Sequence, residues 1–270
     1  MSQAKSLKII DMKKQDLHIV KIGGKLMENE ARLTSFLHDF AALKEPKILV
    51  HGGGNMATEI AAKLGFATQM IDGRRITDAD SLKVIVMTYG GLINKTIVAN
   101  LQALGTNAIG LCGADGNSII SKRREVKEID YGFVGDVEEV NPKFITSLLG
   151  QGMIPVFSAI SCTRDGVLLN TNADSIASEI ANAMTKKFEV KLYFCMEKKG
   201  VMLNLDDEAS VIKNLNPEKY RALIDEGRIS NGMLPKLHNC FQAIANGVSA
   251  VYLGDASIIN GETTGTMITQ

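Results

Sequence analysis

Short apolar runs alternate along this chain with segments whose apolar residues recur at helical spacing. Residues 17–22 and 48–51 are typical of buried strands, and each run ends at glycines. Helical spacing follows in residues 28–43 and again in residues 55–64. A strand, a glycine turn and a helix thus occur twice in succession. This order predicts a mainly parallel sheet with helices on both faces, a three-layer αβα sandwich.

The alternation continues through the rest of the chain. Further strands are predicted at residues 108–111, 154–158, 190–195 and 250–253, and further helices at residues 77–104, 141–150, 172–184, 216–227 and 233–246. The longest helix contains Gly90-Gly91, and each of these glycines costs about 1 kcal/mol relative to alanine. We therefore expect the pair to serve close packing or a bend.

Composition narrows the class of protein. The chain has 270 residues, 45% hydrophobic and 22% charged, which fits one large α/β unit or two lobes sharing a sheet. Thirty basic residues balance thirty acidic ones, so no overall field favours nucleic acid or an anionic membrane. Any anion binding is therefore expected to be local.

The cysteines and the N-terminal segment predict a cytoplasmic protein. The four cysteines lack metal-ligand or disulfide spacing, and are typical of buried thiols in a reducing compartment: Cys112, Cys162, Cys195 and Cys240. Residues 1–16 contain four lysines but no continuous apolar segment, so they do not resemble a secretory signal. No apolar run approaches membrane-spanning length.

Two glycine turns are the first candidate functional elements. Gly23-Gly24 follows Lys21 at the end of the first strand, and residues 52–54 follow His51 at the end of the second. Glycine lets main-chain N–H groups approach an anion closely, and Lys21 and Lys25 add positive charge. Although a lone glycine turn is more often structural, the pair predicts a phosphate-binding site. We expect His51 to pack or hydrogen bond, because no second metal ligand is suitably spaced.

Other segments place polar residues where turns should lie, namely residues 73–77, 170–174, 195–200 and 231–236. Ligands gather at the carboxyl ends of strands in α/β sheets. Simpler explanations are helix capping for Asn170, Asn172 and Asp174, and ordinary surface exposure for Arg75 and Lys236. No segment matches the G-x-x-x-x-G-K-[ST] pattern, the G-x-G-x-x-G pattern or the protein-kinase signatures.

Six motifs occur in a fixed order: Lys21-Ile22-Gly23-Gly24, His51-Gly52-Gly53-Gly54, Gly73-Arg74-Arg75-Ile76-Thr77, Val134-Gly135-Asp136-Val137, Asn170-Thr171-Asn172-Ala173-Asp174 and Asn231-Gly232-Met233-Leu234-Pro235-Lys236. Over residues 17–268, nearly the whole chain, they resemble the acetylglutamate kinase branch of the amino acid kinase family. The resemblance implies the amino acid kinase fold. It also implies transfer of the γ-phosphoryl group of ATP to the side-chain carboxylate of an N-acylated glutamate, the second step of arginine biosynthesis.

The resemblance implies roles for individual residues. Lys21 and Lys236 would contact the transferring phosphoryl group, and Asp174 would orient both lysines. The backbone N–H groups of Gly23, Gly24 and Gly53 would donate hydrogen bonds to the phosphoryl group. The amino acid substrate would be held by Gly52, Gly53, Arg75 and Asn170. The nucleotide would be held by Glu197, Lys199, Gly200 and Met233, although residues 197–200 depart from the Asp-Val-Pro-Gly or Asp-Val-Ser-Gly turn of relatives.

The resemblance also implies an organisation into two lobes. Residues 1–185 would bind the amino acid and form the dimer interface, and residues 186–270 would bind the nucleotide. The segment before Leu17 is shorter than in arginine-inhibited hexameric relatives, so we expect a homodimer without strong arginine feedback. Mg²⁺ would accompany ATP as co-substrate, with no protein side chain assigned to it. A PII-type regulator partners some relatives, and nothing in this sequence supports that contact.

The chemistry agrees with these roles. A glutamate side-chain carboxylate, with a reference pKa of about 4.3, is ionised at neutral pH and needs no general base. The site must instead bring two anions together and stabilise spreading negative charge, which requires lysines, glycine N–H groups and Mg²⁺. Arg75 suits the α-carboxylate, because its planar fork binds a carboxylate through two hydrogen bonds.

Three alternatives stay open at this point. The acyl group could be acetyl or succinyl, because the motifs concern the glutamate half of the substrate. The acceptor could be aspartate, glutamate, carbamate or UMP, as in other members of the family, although Arg75 and residues 170–174 favour N-acylglutamate. The chain could be a non-catalytic amino-acid or nucleotide sensor, although Lys21, Asp174 and Lys236 argue against this.

Overall fold

The computed structural model describes residues 14–71, 74–204, 207–229, 233–261 and 265–270. Residues 1–13 and the motif residues Gly73, Asn231 and Gly232 lie outside these ranges. In chain order, the strands are β1 (Gln15–Ile22), β2 (Lys47–His51), β3 (Met70–Ile71), β4 (Arg74–Arg75), β5 (Ala108–Leu111), β6 (Ile119–Arg123), β7 (Val134–Val140), β8 (Ile154–Ser158), β9 (Ile160–Cys162), β10 (Leu168–Thr171), β11 (Phe188–Cys195), β12 (Asn214–Leu215), β13 (Ala250–Gly254) and β14 (Thr266–Ile268). The α-helices are α1 (Gly24–Glu28), α2 (Glu30–Ala42), α3 (Gly54–Lys63), α4 (Ala79–Ile85), α5 (Asn94–Ala103), α6 (Pro142–Gly150), α7 (Ala173–Met184), α8 (Pro217–Asp225) and α9 (Leu234–Ala245).

Eight strands form the central sheet, in the order β12-β14-β13-β11-β1-β2-β8-β5. Neighbouring strands are parallel except for β13 and β14. Helices α6, α7 and α9 pack on this sheet and on one another, while α5 packs on β5, β8 and α2. A mainly parallel sheet between helical layers confirms the predicted fold class. The sheet is continuous across residue 185, because β1 pairs with both β2 and β11.

The strands that lead to the glycine turns lie in the middle of this sheet and are deeply buried. Every residue of β2 is buried, and Leu17, Ile19 and Val20 of β1 have no exposed surface. Burying an aliphatic side chain of this size stabilises the fold by about 1.5–3 kcal/mol. Lys21 is only partly buried, since it lies where β1 leaves the core. The core therefore fixes the position from which Lys21 extends.

Two small sheets stand beside the central one. In the first, β6, β7, β9 and β10 close on themselves, and Asn170 of β10 is paired with Val134 of β7. In the second, β3 and β4 form an antiparallel pair with Arg75 opposite Met70. The predicted substrate residues Arg75 and Asn170 are thus carried by small sheets and not by the central one.

The helix predicted at residues 77–104 is continuous but changes its winding. Between α4 and α5, residues Val86–Ile93 are π-helical, and Gly90-Gly91 lies within them. A Cβ on Gly90 would lie 3.4 Å from Ile160 Cδ1, so the expected close packing is present there. The glycine pair lies in a π-helical insertion, which changes the hydrogen-bond register within an otherwise α-helical segment.

The same helix corrects one expectation from the sequence. Taken as one element, Ala79–Ala103 is long and apolar enough to match a membrane span by length and composition. Nearly half of its most apolar window is buried inside the protein, as in many core helices. The helix itself was predicted at residues 77–104, but polar residues interrupt its apolar runs, so no uninterrupted apolar run in the sequence marks a possible membrane span there.

Candidate active site

The two glycine turns lie side by side at the carboxyl ends of β1 and β2. These strands are parallel neighbours, and Ile22 is paired with His51. Gly23 is the N-cap of α1, and Gly53 is the N-cap of α3. Parallel pairing therefore brings together two turns that are distant in the sequence, as the phosphate-site hypothesis requires.

Gly53 is a position where the fold requires glycine. Its φ is 155° and its ψ is 22°. A Cβ on Gly53 would lie 2.3 Å from Ile93 Cδ1 and 2.9 Å from Tyr89 Cδ1. The π-helical segment thus packs directly against the backbone of this turn and limits its conformation.

Asp174 joins the two lysines that were predicted to contact the phosphoryl group. Lys21 Nζ lies 2.7 Å from Asp174 Oδ1, and Lys236 Nζ lies 3.3 Å from Asp174 Oδ2. The Lys236 ammonium also lies 5.5 Å from the ring centroid of Phe194. Asn172 caps α7, because its side chain accepts hydrogen bonds from the first-turn backbone, including the N–H of Asp174. Three separate elements, β1, α7 and α9, therefore supply this charged cluster.

Asp174 is held in its ionised form. Burial raises the pKa of Asp174, but the positive charges of Lys21 and Lys236 and the hydrogen bonds from them outweigh burial and lower the pKa overall. An aspartate with a lowered pKa is a poor base and a good fixed anion. Its position suits the predicted role of orienting both lysines.

Arg75 is oriented beside the second glycine turn. Its Nη2 donates to Gly54 O at 2.7 Å and to Thr58 Oγ1 at 2.7 Å. Its Nη1 donates to Thr68 Oγ1 at 2.9 Å. None of these acceptors is a carboxylate, so the positive charge of the guanidinium is available to an anionic ligand.

Asn170 and Arg75 line one cavity of about 530 Å³. Asn170 Nδ2 donates to Thr77 Oγ1 at 3.0 Å, and Thr77 Oγ1 donates to the backbone carbonyl of Arg75 at 3.2 Å. The cavity has room for a small amino acid derivative. The predicted residues that line it are Lys21, Gly23, Gly24, Gly52, Gly53, Arg75, Asn170, Asp174 and Lys236.

A second cavity of about 500 Å³ adjoins the first. Both cavities are lined by Lys21, Gly23, Gly24 and Lys236. From these shared residues the second cavity extends to Glu197, just after β11, and to the segment after β13. The glycines and lysines thus stand at a junction where two ligands could meet.

The structure separates the four residues predicted to hold the nucleotide. Glu197 lines the second cavity, and its Oε2 lies 2.8 Å from Lys25 Nζ. Lys199 Nζ pairs with a different glutamate carboxylate at 2.6 Å. Lys199, Gly200 and Met233 line neither of these two cavities. Their assignment to the nucleotide stays a prediction.

Two arginines and a tyrosine line the first cavity although the sequence had assigned them no role: Arg74, Arg124 and Tyr89. Arg124 follows β6, and its Nη2 and Nε lie 2.5 Å and 3.1 Å from Asp136 Oδ1. The available signal was Asp136 itself, because it belongs to the motif at residues 134–137 and an acid there calls for a cationic partner. Arg74 belongs to the motif at residues 73–77, directly before Arg75, whereas no signal in the sequence marks Tyr89.

The described part of the chain contains no group of three or more His, Cys, Asp or Glu side chains placed to hold a metal ion. Asp174, the acid at the junction, is engaged by both lysines.

Similar proteins identify the family to which this chain belongs. The model of the amino acid kinase family matches residues 16–255. The chain is 52% identical over 255 residues to an acetylglutamate kinase from Phocaeicola vulgatus, covering 94% of this chain and 99% of that protein. It is 54% identical over 243 residues to an acetylglutamate kinase from Cytophaga hutchinsonii, covering 90% of this chain and 92% of that protein. The crystal structure of smu.665 from Streptococcus mutans UA159 is similar, with a TM-score of 0.77 and 26% identity. The match covers 94% of this chain and 98% of that chain. The chain therefore belongs to the amino acid kinase family.

Proposed function

We propose that this chain transfers the γ-phosphoryl group of ATP to the side-chain carboxylate of N-acetyl-L-glutamate. The observation that carries the proposal is the Lys21, Asp174 and Lys236 cluster at the junction of two cavities. The extensive identity to proteins named acetylglutamate kinase supports the choice of substrate. The product would be an acyl phosphate, formed in the second step of arginine biosynthesis.

The proposed reaction depends on positioning and charge. The acceptor carboxylate is ionised at neutral pH, so no side chain has to remove a proton. Lys21 and Lys236 offset the negative charge that would otherwise keep the carboxylate and the phosphoryl group apart. The N–H groups of Gly23, Gly24 and Gly53 would bind phosphoryl oxygens. ATP would enter as its Mg²⁺ complex, with the metal on the phosphates.

The two cavities suggest where each substrate lies. The amino acid would occupy the first cavity, with its α-carboxylate on Arg75 and Asn170 beside it, and ATP would approach through the second cavity towards Glu197. On this basis residues 1–185 form the amino acid lobe and residues 186–270 the nucleotide lobe. The continuous sheet would let the lobes share one rigid centre.

A hydroxamate assay tests the proposed function. The purified chain, incubated with MgATP, N-acetyl-L-glutamate and hydroxylamine, should form the acyl hydroxamate together with ADP. N-succinyl-L-glutamate, aspartate, glutamate, carbamate and UMP should be compared in parallel, with ADP release as the common readout. If another acceptor were turned over faster, that acceptor would replace N-acetyl-L-glutamate as the proposed substrate. No turnover of any acceptor would favour a non-catalytic sensor.

Arg75→Ala should raise KM for N-acetyl-L-glutamate by about 10–100-fold, because charged hydrogen bonds contribute about 1.5–3 kcal/mol. KM for ATP should stay within about twofold of wild type. Steady-state kinetics with each substrate varied in turn measures both constants. Arg164→Ala is the control, since Arg164 is an exposed arginine paired with Glu139 outside both cavities. An increase confined to KM for ATP would contradict the assignment.

We infer that the chain forms a homodimer through the long helix. Met87 and Leu92 are 55% and 53% exposed, and both belong to its π-helical segment. Gly91, which lies between them in the sequence, is also exposed, and a Cβ added to it would meet no atom within 4 Å. Exposed apolar side chains of this kind on one helix suit a second copy of the same surface.

Met87→Asp should convert the dimer to a monomer, because burying an unpaired carboxylate in an apolar contact is strongly unfavourable. Light scattering of the purified protein measures the mass. Val126→Asp is the matched control, since Val126 is 63% exposed and lies elsewhere. A wild-type hexamer, or inhibition by micromolar arginine, would contradict the proposed assembly and the absence of strong feedback.

A cytoplasmic location completes the proposal. All four cysteines are free thiols, and Cys162, Cys195 and Cys240 are buried. Unpaired cysteines suit a reducing compartment, where ATP is also available.

A further inference from the structure

His51 is a fully buried histidine directly before the second glycine turn. It ends β2, has no exposed surface, and uses both of its ring nitrogens. Nδ1 lies 2.9 Å from Gly52 O, and Nε2 lies 3.0 Å from Asn94 Nδ2. Neither contact is needed for the roles assigned above, so the pair of contacts calls for its own explanation.

The contact with Asn94 determines which nitrogen of His51 carries the proton. Asn94 Nδ2 is only a donor, and it also donates to Val156 O at 2.9 Å. Nε2 of His51 must therefore accept, so the proton of the neutral ring is on Nδ1 and is donated to Gly52 O. Burial lowers the pKa of His51 to about 4, which keeps the ring neutral at pH 7.

Asn94 is itself held firmly in place. It is 1% exposed and begins α5, directly after the π-helical segment. Its Oδ1 accepts from Lys95 Nζ at 3.2 Å. β5 leaves space for its side chain, because a Cβ on Gly110 would lie 1.9 Å from Asn94 Oδ1. The helix, β5 and β8 thus all contribute to the placement of the amide that fixes the His51 tautomer.

The bond to Gly52 O determines where the next N–H points. The described residues contain no cis peptide bond, and in a trans peptide the C=O of one residue and the N–H of the next point in opposite directions. The His51 ring holds the Gly52 carbonyl on its own side, so the N–H of Gly53 points away from the ring. Gly53 lines the first cavity, where the phosphoryl acceptor would lie.

We propose that His51, fixed by Asn94, is a positioning residue that aims the Gly53 N–H at the transferring phosphoryl group. The inference rests on the proposed function, because it supplies the anion that this N–H would bind. His51 does not touch the substrates and acts through the peptide between Gly52 and Gly53. Without the bond from Nδ1, that peptide could rotate and withdraw its donor from the site.

Two substitutions of His51 separate this role from simple packing. In His51→Asn the amide nitrogen stands near the position of Nδ1 and can still donate to Gly52 O. In His51→Gln the amide reaches the position of Nε2, which keeps a partner for Asn94 but loses the bond to Gly52. Both variants lose part of the ring, so thermal unfolding should show similar falls in Tm.

The expected result is a difference in kcat between the two variants. His51→Gln should lower kcat by about 10–100-fold, as expected for a misplaced donor, with KM for both substrates within about threefold. His51→Asn should keep kcat within about threefold of wild type. Equal losses of kcat, or losses that follow Tm, would overturn the inference.

A second measurement does not depend on the variants folding or on the reaction. Nitrogen-15 NMR of the wild-type histidines, with His51 assigned by a three-dimensional experiment on the wild-type protein, should show Nδ1 protonated and Nε2 unprotonated. The reverse tautomer would overturn the inference even if the protein is an active kinase. An inactive wild-type protein with the expected tautomer would instead count against the proposed function.

Discussion

Lys21→Ala is expected to lower kcat by about 10²–10³-fold and to leave the fold intact. The Lys21 ammonium stands at the junction of both cavities, 2.7 Å from Asp174. Negative charge develops at this junction as the phosphoryl group moves from one oxygen to another. Removing one preorganised donor that stabilises this charge lowers kcat by about 10²–10³-fold. Steady-state kinetics with MgATP and N-acetyl-L-glutamate measures the loss, and thermal unfolding checks the fold.

Lys191→Ala is the matched control for Lys21. Lys191 Nζ lies 2.6 Å from Asp16 Oδ2, and both side chains are 29% exposed. This ion pair joins β11 to β1, as part of the same sheet, but lines neither cavity. Its loss should change Tm slightly and kcat by less than about twofold. If Lys21→Ala reduced kcat no more than Lys191→Ala did, Lys21 would have no catalytic role.

Asp174→Asn should lower kcat by about 100-fold without raising KM for ATP. The amide keeps the shape of the side chain but removes the charge that holds two ammonium groups together. Lys21 and Lys236 then repel each other and leave the positions where charge develops, so kcat falls. The site meanwhile gains one positive charge, which favours binding of the ATP anion.

The control for Asp174 is Asp16→Asn, which removes the acid of the pair with Lys191. This variant should keep kcat within about twofold of wild type. Initial rates over a grid of both substrate concentrations separate kcat from the two KM values. A rise in either KM at unchanged kcat would show that Asp174 binds substrate and does not organise the lysines.

Much of the fold could be predicted because its elements are local patterns. The strand before Gly23 and the strand before Gly52 are short apolar runs, and burial of β1 and β2 follows from them. The π-helical winding at Val86–Ile93 could not be predicted, because over eight residues its apolar spacing differs little from that of an α-helix. Its consequence, the packing of Ile93 on Gly53, is a tertiary contact.

The candidate site was predictable only in part for the same reason. Lys21, Asp174 and Lys236 each belong to a recognisable motif, and the structure brings them together. Arg124 lies outside every motif, and it enters the site through its partner Asp136. Contacts between residues far apart in sequence leave no local pattern that a single chain could reveal.

The sequence by itself determined the α/β class, the two glycine turns and the residue types needed to handle phosphate. It could do so because apolar spacing, glycine geometry and formal charge are properties of short segments. Only the tertiary structure decided that Asp174 bridges two lysines, that two cavities meet at Gly23 and Gly24, and that His51 bonds to Gly52 and Asn94. These features depend on which strands pair and which helices cover them, and that choice is made by the packing of the whole core.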